Sequence, residues 1–171
     1  MRTGPDAIAV RAWEPGDLDR LARAGAELSA ETLRARFWTG LPALPPGYLR
    51  SIETRWPHRW DAVVAIQHDA LVGWAEYGRN TDEGEADVAI CLVDAAQGRG
   101  LGTVLFQALL ERGADAGLSA VHADIEMANR AAEALWQRVT REVETTTTAD
   151  GDTRRHSLVR PGISARARSA A

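Results

Sequence analysis

Short apolar runs alternate with amphipathic stretches along most of the chain. Ala7–Trp13 (AIAVRAW) reads as a strand that Pro15-Gly16 breaks. Leu18, Leu21, Ala22 and Leu28 then recur near helical spacing, and Ser29 is placed to cap a second helix carrying Leu33 and Phe37. Thr39–Trp60 holds four of the seven prolines and reads as a long irregular loop with a helical turn around Tyr48–Thr54. Asp61–Gln67 (DAVVAIQ) and Leu71–Gly78 (LVGWAEYG) flank His68-Asp69-Ala70 and predict an antiparallel hairpin. After a polar turn at Asn80–Gly84, Glu85–Val93 (EADVAICLV) gives the next strand. The glycine-rich Gln97–Gly102 (QGRGLG) opens a helix with Leu101, Val104, Leu105 and Ala108 on one face, ended by Gly117. Ser119–Ile125 (SAVHADI) reads as a strand, and Asn129 opens a helix with Ala132, Leu135, Trp136 and Val139 on one face. Glu142–Thr148 and Arg154–Val159 close the chain as strands around an Asp150-Gly151 turn. The predicted order is β-α-α-β-β-β-α-β-α-β-β, and its central strand–helix–strand unit implies a right-handed crossover.

Composition narrows the class. With 171 residues, 45% hydrophobic and 26% charged, the chain reads as one globular domain over residues 1–160, followed by a flexible basic tail over 161–171. Cys91 is the only cysteine, which excludes a disulfide framework and a cysteine-rich metal site. The four histidines lack metal-ligand spacing, so no metal is expected. All 20 basic residues are arginine, which excludes a Walker-type lysine and Schiff-base chemistry. A net charge of −4 argues against broad nucleic-acid binding. No apolar run nears the roughly 18 residues of a membrane span. The start of the chain has no basic-then-apolar leader, and the reading is a cytoplasmic protein. Charge is uneven: Asp82–Asp94 carries five acids and no base, and Arg154–Arg168 five arginines and no acid. The basic segment reads as a solvated terminus or a contact for an anion or acidic partner.

The strand–glycine loop–helix unit from Glu85 to Ala116 carries the strongest chemical signal. A helix start leaves about four backbone N–H groups unpaired at the positive end of its dipole. Gly98, Gly100 and Gly102 would let a phosphate approach them. A dinucleotide fingerprint would need glycine where Thr103 stands. From the loop alone, a phosphate cradle and a plain turn both remain open.

Gln97-Gly98-Arg99-Gly100-Leu101-Gly102 resembles the Q/R-x-x-G-x-G/A motif of the GCN5-related N-acetyltransferases (GNAT), and lies as theirs does between strand and helix. Asn129–Val139 is similar to the family's later N-x-x-A-x-x-L segment, and the element order agrees from about Ile8 to Val159. Leu28–Phe37 (LSAETLRARF) and Glu85–Ile90 (EADVAI) look closest to bacterial protein lysine acetyltransferase domains. The resemblance implies a single α/β (α+β) domain with a mixed, mostly antiparallel sheet around the central acetyl-CoA unit. It implies acetyl-CoA as donor and an amine acceptor, either a protein lysine or a small amine. It assigns the pyrophosphate to the loop of Gln97, with N–H groups from Gly98, Arg99, Gly100, Gly102 and Thr103. It assigns the pantetheine to Cys91, Leu92 and Val93, with the Leu92 N–H holding the oxyanion. Asn129 would contact the CoA arm, cap its helix, or do both.

The same resemblance makes Asp87 the first candidate general base. It stands ten residues before Gln97, where the related lysine acetyltransferases carry glutamate. One methylene less favours a water relay. Glu85, on the same strand face, and Glu76 are the other candidates, against the reading of a merely solvated strand face. Many family members protonate the leaving thiolate with a tyrosine where Trp136 stands here. Trp136 cannot donate in that way and reads equally as core. Cys91 reads as a buried small side chain; a route through it would need His122 as activator. Trp38, Trp56, Trp60, Tyr48 and Pro42–Pro46 are expected to divide between the acceptor side and ordinary packing. The resulting expectation is an acetyl-CoA-dependent N-acetyltransferase acting by direct attack in a ternary complex. The alternatives are a non-catalytic acyl-CoA sensor and a nucleotide binder using the same loop. The late strands could pair in a homodimer.

Overall fold

A computed structural model describes residues 7–54, 59–79 and 84–159. The tail after Val159, Trp56 and most of the Asn80–Gly84 turn, with Asp82 and Glu83, lie outside the described residues. The order is β1 (Ala9–Ala12), α1 (Asp17–Ala24), α2 (Ala30–Phe37), α3 (Pro46–Thr54), β2 (Trp60–Gln67), β3 (Ala70–Arg79), β4 (Glu85–Leu92), α4 (Leu101–Asp115), β5 (Ala120–Glu126), α5 (Arg130–Val139), β6 (Thr145–Asp150) and β7 (Thr153–Val159). The strands form one seven-stranded sheet in the order β1-β2-β3-β4-β5-β7-β6. Every pairing is antiparallel except β4 with β5.

Most elements form where the pattern puts them, for visible local reasons. The β2–β3 hairpin turns on two residues, His68 and Asp69, both with positive φ, as a two-residue turn matched to strand twist requires. The Ser29 side chain accepts from the Thr32 N–H and starts α2; Asn129 accepts from the Ala132 N–H at 3.0 Å and starts α5. Gly117, at φ +76°, ends α4 and directs the Leu118 N–H to the Gly113 carbonyl.

Three expectations change. The proline-rich loop contains a full helix, α3, entered through Pro46, a residue suited to a first helical turn. The buried stripe of α4 runs through Leu101, Leu105, Phe106, Leu109 and Leu110, while Val104 is half exposed. The last hairpin is displaced by about one turn of chain. β6 covers Thr145–Asp150 and the reversal falls at Gly151-Asp152, with Gly151 supplying the positive φ.

Cross-strand partners share a sheet face. The registers Trp74↔Cys91, Glu76↔Ala89, Gly78↔Asp87 and Asp124↔Arg155 therefore put Trp74, Glu76, Asp87, Cys91, Asp124 and Arg155 on one face. Helices α2 and α3 cover that face, since Arg36 and Tyr48 bond Glu76 and Arg34 bonds Glu126. Helices α4 and α5 cover the other, through Arg112 on Asp61 and Glu133 on His156. The centre of β2, Ala62–Ala65, is buried throughout, as a strand covered on both sides must be.

Candidate active site

The parallel β4–β5 ladder covers only Glu85–Asp87 against Ala120–His122. Beyond that rung β5 pairs with β7 alone, and the two parallel strands part. The fork leads into a cleft of about 1100 Å³ reaching from α2 to α4 and α5.

Hydrogen-bond alternation tells which backbone groups face the gap. The Val93 N–H donates to the Val72 carbonyl at 3.0 Å, so Val93, Cys91 and Ala89 direct their backbone polar groups toward β3. Leu92 and Ile90 therefore direct theirs toward the gap. Leu92 is the residue whose N–H the resemblance assigns to the oxyanion; Ile90 faces the same way, which alternation within the register could have revealed. Val93 is buried and does not line the cleft. Ile90 lies three residues from Asp87, about 10 Å along the strand, and Leu92 about 17 Å.

At the head of the cleft, Gly98 and Gly100 have φ of +70° and +80°, and Gly100 occupies the N-cap position of the 15-residue α4 with no side-chain cap. An uncapped helix start next to a cleft is suited to a phosphate. Gly102 lets α4 approach its neighbours: an added Cβ would lie 3.3 Å from Leu135 and 3.6 Å from Leu92. Gln97, Gly98, Gly100, Gly102, Thr103 and Asn129 line the cleft, as do Asp87, Cys91 and Leu92; Arg99 and Glu85 do not. The Thr103 N–H donates to the Gly100 carbonyl at 3.1 Å. Gln97 turns its amide inward, to the Leu92 carbonyl at 3.2 Å, Asp94 at 3.2 Å and the Thr32 hydroxyl at 3.1 Å. Asp94 also accepts from the Thr32 hydroxyl at 2.6 Å and the Ser29 N–H at 2.9 Å. The Thr32 bond above all, with that from Ser29, holds its carboxyl below the usual range. This clasp joins the start of α2 to the end of β4. Sequence reasoning also missed Arg130 and Arg138 of α5, both cleft residues and candidates for phosphate contact.

The candidate bases separate sharply. Asp87 is half-buried at the last rung of the ladder, and its Oδ1 accepts from Arg155 at 2.7 Å. Glu85 sits outside the cleft, 3.3 Å from His122. Glu76 is buried in a polar network: it accepts from Arg36, from the Tyr48 hydroxyl at 2.8 Å and from the Trp60 Nε1 at 2.6 Å. The Trp74 Nε1 donates to the same Tyr48 hydroxyl at 2.9 Å. Burial first, and Glu76 second, push the Tyr48 hydroxyl well above its ordinary range. Burial opposes charge on Arg36 most strongly, but Glu76, Tyr48 and Cys91 together outweigh it and leave the guanidinium above its ordinary range. Tyr48, Trp60 and Glu76 thus anchor the sheet to α2 and α3, whereas Trp38 lines the cleft with half its surface exposed. A second cavity of about 680 Å³ shares Trp38 and Asp124 with the first and extends over β6 and β7.

Two negative readings have physical causes. Burial pushes the Cys91 thiol up to about 12, and His122 bonds Ser157 and Glu85 instead of it. Trp136 packs against Phe106 and His156 at ring distances of 5.6 and 5.4 Å, as core. Among the described residues, no group of three or more His, Cys, Asp or Glu could hold a metal ion, and no helix is long and apolar enough to cross a membrane.

No curated protein matches the chain by sequence. Among solved structures, the GNAT domain of S. lividans PAT superposes with a TM-score of 0.77 at 19% identity, covering 91% of this chain and 97% of that one. The yncA protein of Salmonella typhimurium, solved with its cofactor acetyl-CoA, gives 0.72 at 20% identity, covering 94% and 98%. Spermidine N-acetyltransferase from Vibrio cholerae, in complex with CoA and spermine, gives 0.69 at 14% identity, covering 90% and 95%. These likenesses establish the fold. The model of the acetyltransferase (GNAT) family matches residues 29–140, which span the α2 clasp, the fork, the glycine turn and α5, and the chain belongs to that family.

Proposed function

We propose that the protein is an acetyl-CoA-dependent N-acetyltransferase that moves acetyl to a primary amine in a ternary complex. The observation that carries this reading is the fork: a gap between β4 and β5, faced by the Ile90 and Leu92 N–H groups, ending at the uncapped glycine turn of α4. Pyrophosphate fits the N–H groups around Gly98, Gly100 and Gly102, with Gln97 bracing the turn; the Thr103 N–H is already turned to the Gly100 carbonyl and Arg99 lies outside the cleft. Pantetheine fits along Cys91 and Leu92, with Val93 holding the strand end to β3. Asn129 caps α5 and lines the cleft, which suits a contact with the CoA arm. The acetyl-CoA-bound neighbour from Salmonella supports the donor.

The chemistry follows from these positions. An amine that has lost its extra proton attacks the thioester carbonyl carbon. The developing oxyanion is held by a backbone N–H of the fork, Ile90 lying nearer to Asp87 than Leu92 does. As the C–N bond forms, the nitrogen's remaining excess proton passes through water to Asp87. The C–S bond then breaks, and the CoA thiolate takes a proton from water, since Trp136 is core. Glu85 lies too far outside the cleft to share this work. The acceptor is a protein lysine or a small amine; the PAT and spermidine N-acetyltransferase neighbours support each. Asp124 and Asp87 beside Trp38 suit a cation at the acceptor mouth. A single buried thiol fits a cytoplasmic enzyme.

The test is to offer acetyl-CoA with lysine peptides or spermidine, following thiol release and the acetylated product by mass spectrometry. Product from at least one acceptor is expected. The sensor reading, favoured by the burial of Trp136, predicts tight acetyl-CoA binding and no product from any amine.

A further inference from the structure

We infer that Arg155 is a positioning residue that holds the Asp87 carboxyl oriented at the fork. The inference rests on Asp87 acting as the base. Arg155 and Asp124 are cross-strand partners on β7 and β5, and the Arg155 guanidinium donates to Asp124 Oδ2 at 2.6 Å. Its other terminal nitrogen crosses β5 and donates to Asp87 Oδ1 at 2.7 Å. One planar fork thereby ties β7, β5 and β4 together at the last rung before the parallel strands part. Asp124 fixes the guanidinium, and the guanidinium fixes Asp87.

Stability is a poor explanation for this arrangement. All three side chains are about two-fifths exposed, and such exposed pairs contribute about 0–1 kcal/mol. Position explains it better. Asp87 and Asp124 both line the main cleft, and Arg155 lines the adjoining cavity, so the bridge stands where an acceptor amine would enter. A guanidinium cannot be deprotonated, so it supplies a fixed positive charge.

The experiment compares Arg155→Gln, Arg155→Lys, Asp124→Asn and Asp87→Asn. Acetyl transfer to a lysine peptide and to spermidine is followed against pH, and acetyl-CoA affinity by calorimetry. Arg155→Gln is expected to lower kcat roughly tenfold with acceptor KM little changed, because the Asp87 carboxyl loses the group that orients it. Acetyl-CoA affinity stays unchanged. Arg155→Lys restores only part of the rate, because one ammonium does not reproduce the planar fork between two carboxyls, and Asp124→Asn shows a smaller loss of the same kind. Adding Arg155→Gln to Asp87→Asn costs nothing further, because the arginine acts through the aspartate. A wild-type kcat in Arg155→Gln, or losses that multiply in the double variant, would overturn the inference. Wild-type rates in Asp87→Asn would instead overturn the base assignment itself.

Discussion

The two sides of the cleft are built from different materials. The proposed donor side is backbone: the alternating N–H groups of Ile90 and Leu92, and a turn in which Gly98 and Gly100 take positive φ. The proposed acceptor side is side chains: an exposed bridge of Arg155 between Asp87 and Asp124, next to Trp38, backed by a buried network in which Arg36, Tyr48 and Trp60 grip Glu76, itself outside the cleft. Backbone donors have one geometry and recognise what every member of a class shares. Side chains drawn from seven separate elements can be exchanged one at a time. One side can therefore stay fixed while the other is respecified.

The largest effect that would sharpen this contrast is structural. Glu76→Gln leaves Arg36 buried without its counter-charge, which costs about 3–5 kcal/mol. A fall in Tm of about 10 °C by calorimetry is expected for a chain of this size. A fall of a degree or two would show that the network is not what holds α2 and α3 to the sheet.

Asp87→Asn tests the acceptor side chemically. A positioned base contributes roughly a hundredfold, so kcat should drop by about that factor while acetyl-CoA affinity holds. Gly100→Val tests the donor side. A side chain at φ +80° costs about 1–2 kcal/mol, enough to displace the turn and weaken acetyl-CoA binding about tenfold by calorimetry. Acceptor KM should move little. If these two substitutions exchanged phenotypes, the division between the sides would collapse.

The smallest effect concerns Cys91. Burial raises its thiol to about 12, above its unfolded value, so the neutral form is favoured in the fold. The sign follows: this stabilisation is complete below about pH 9 and is lost as pH rises toward 12. Iodoacetamide should leave the folded protein unlabelled at pH 8 and modify it only after denaturation. Rapid labelling of the native protein, with loss of transfer, would revive a thiol route.

The contrast also explains what the sequence disclosed. The donor side was legible because positive φ and close approach demand particular residues: Gly98, Gly100 and Gly102 announce the turn, and the Ser29 and Asn129 caps mark helix starts. The strand pattern of β4 held the gap-facing groups too, but register was needed to separate Ile90 and Leu92 from Cys91 and Val93. On the proposed acceptor side the family resemblance points to Asp87, yet nothing in the sequence points to Arg155. It lies 68 residues from Asp87 and reads as part of a basic terminal segment until β7 pairs with β5. Glu76 looked like a third base because its buried partners come from α2, α3 and β2. The helix at Pro46–Thr54 was masked by its prolines, and the last hairpin slipped because four consecutive threonines give no hydrophobic register.

The most direct test of the donor site is thermal unfolding with acetyl-CoA and CoA, against NAD and ATP. At 100 times its dissociation constant a ligand stabilises by about 2.7 kcal/mol, a rise of roughly 5–11 °C for a domain of this size. The account predicts that rise with the two CoA compounds and none with NAD or ATP, and that Gly100→Val shrinks it at equal ligand concentration. No rise with acetyl-CoA, or an equal rise with ATP, would contradict it.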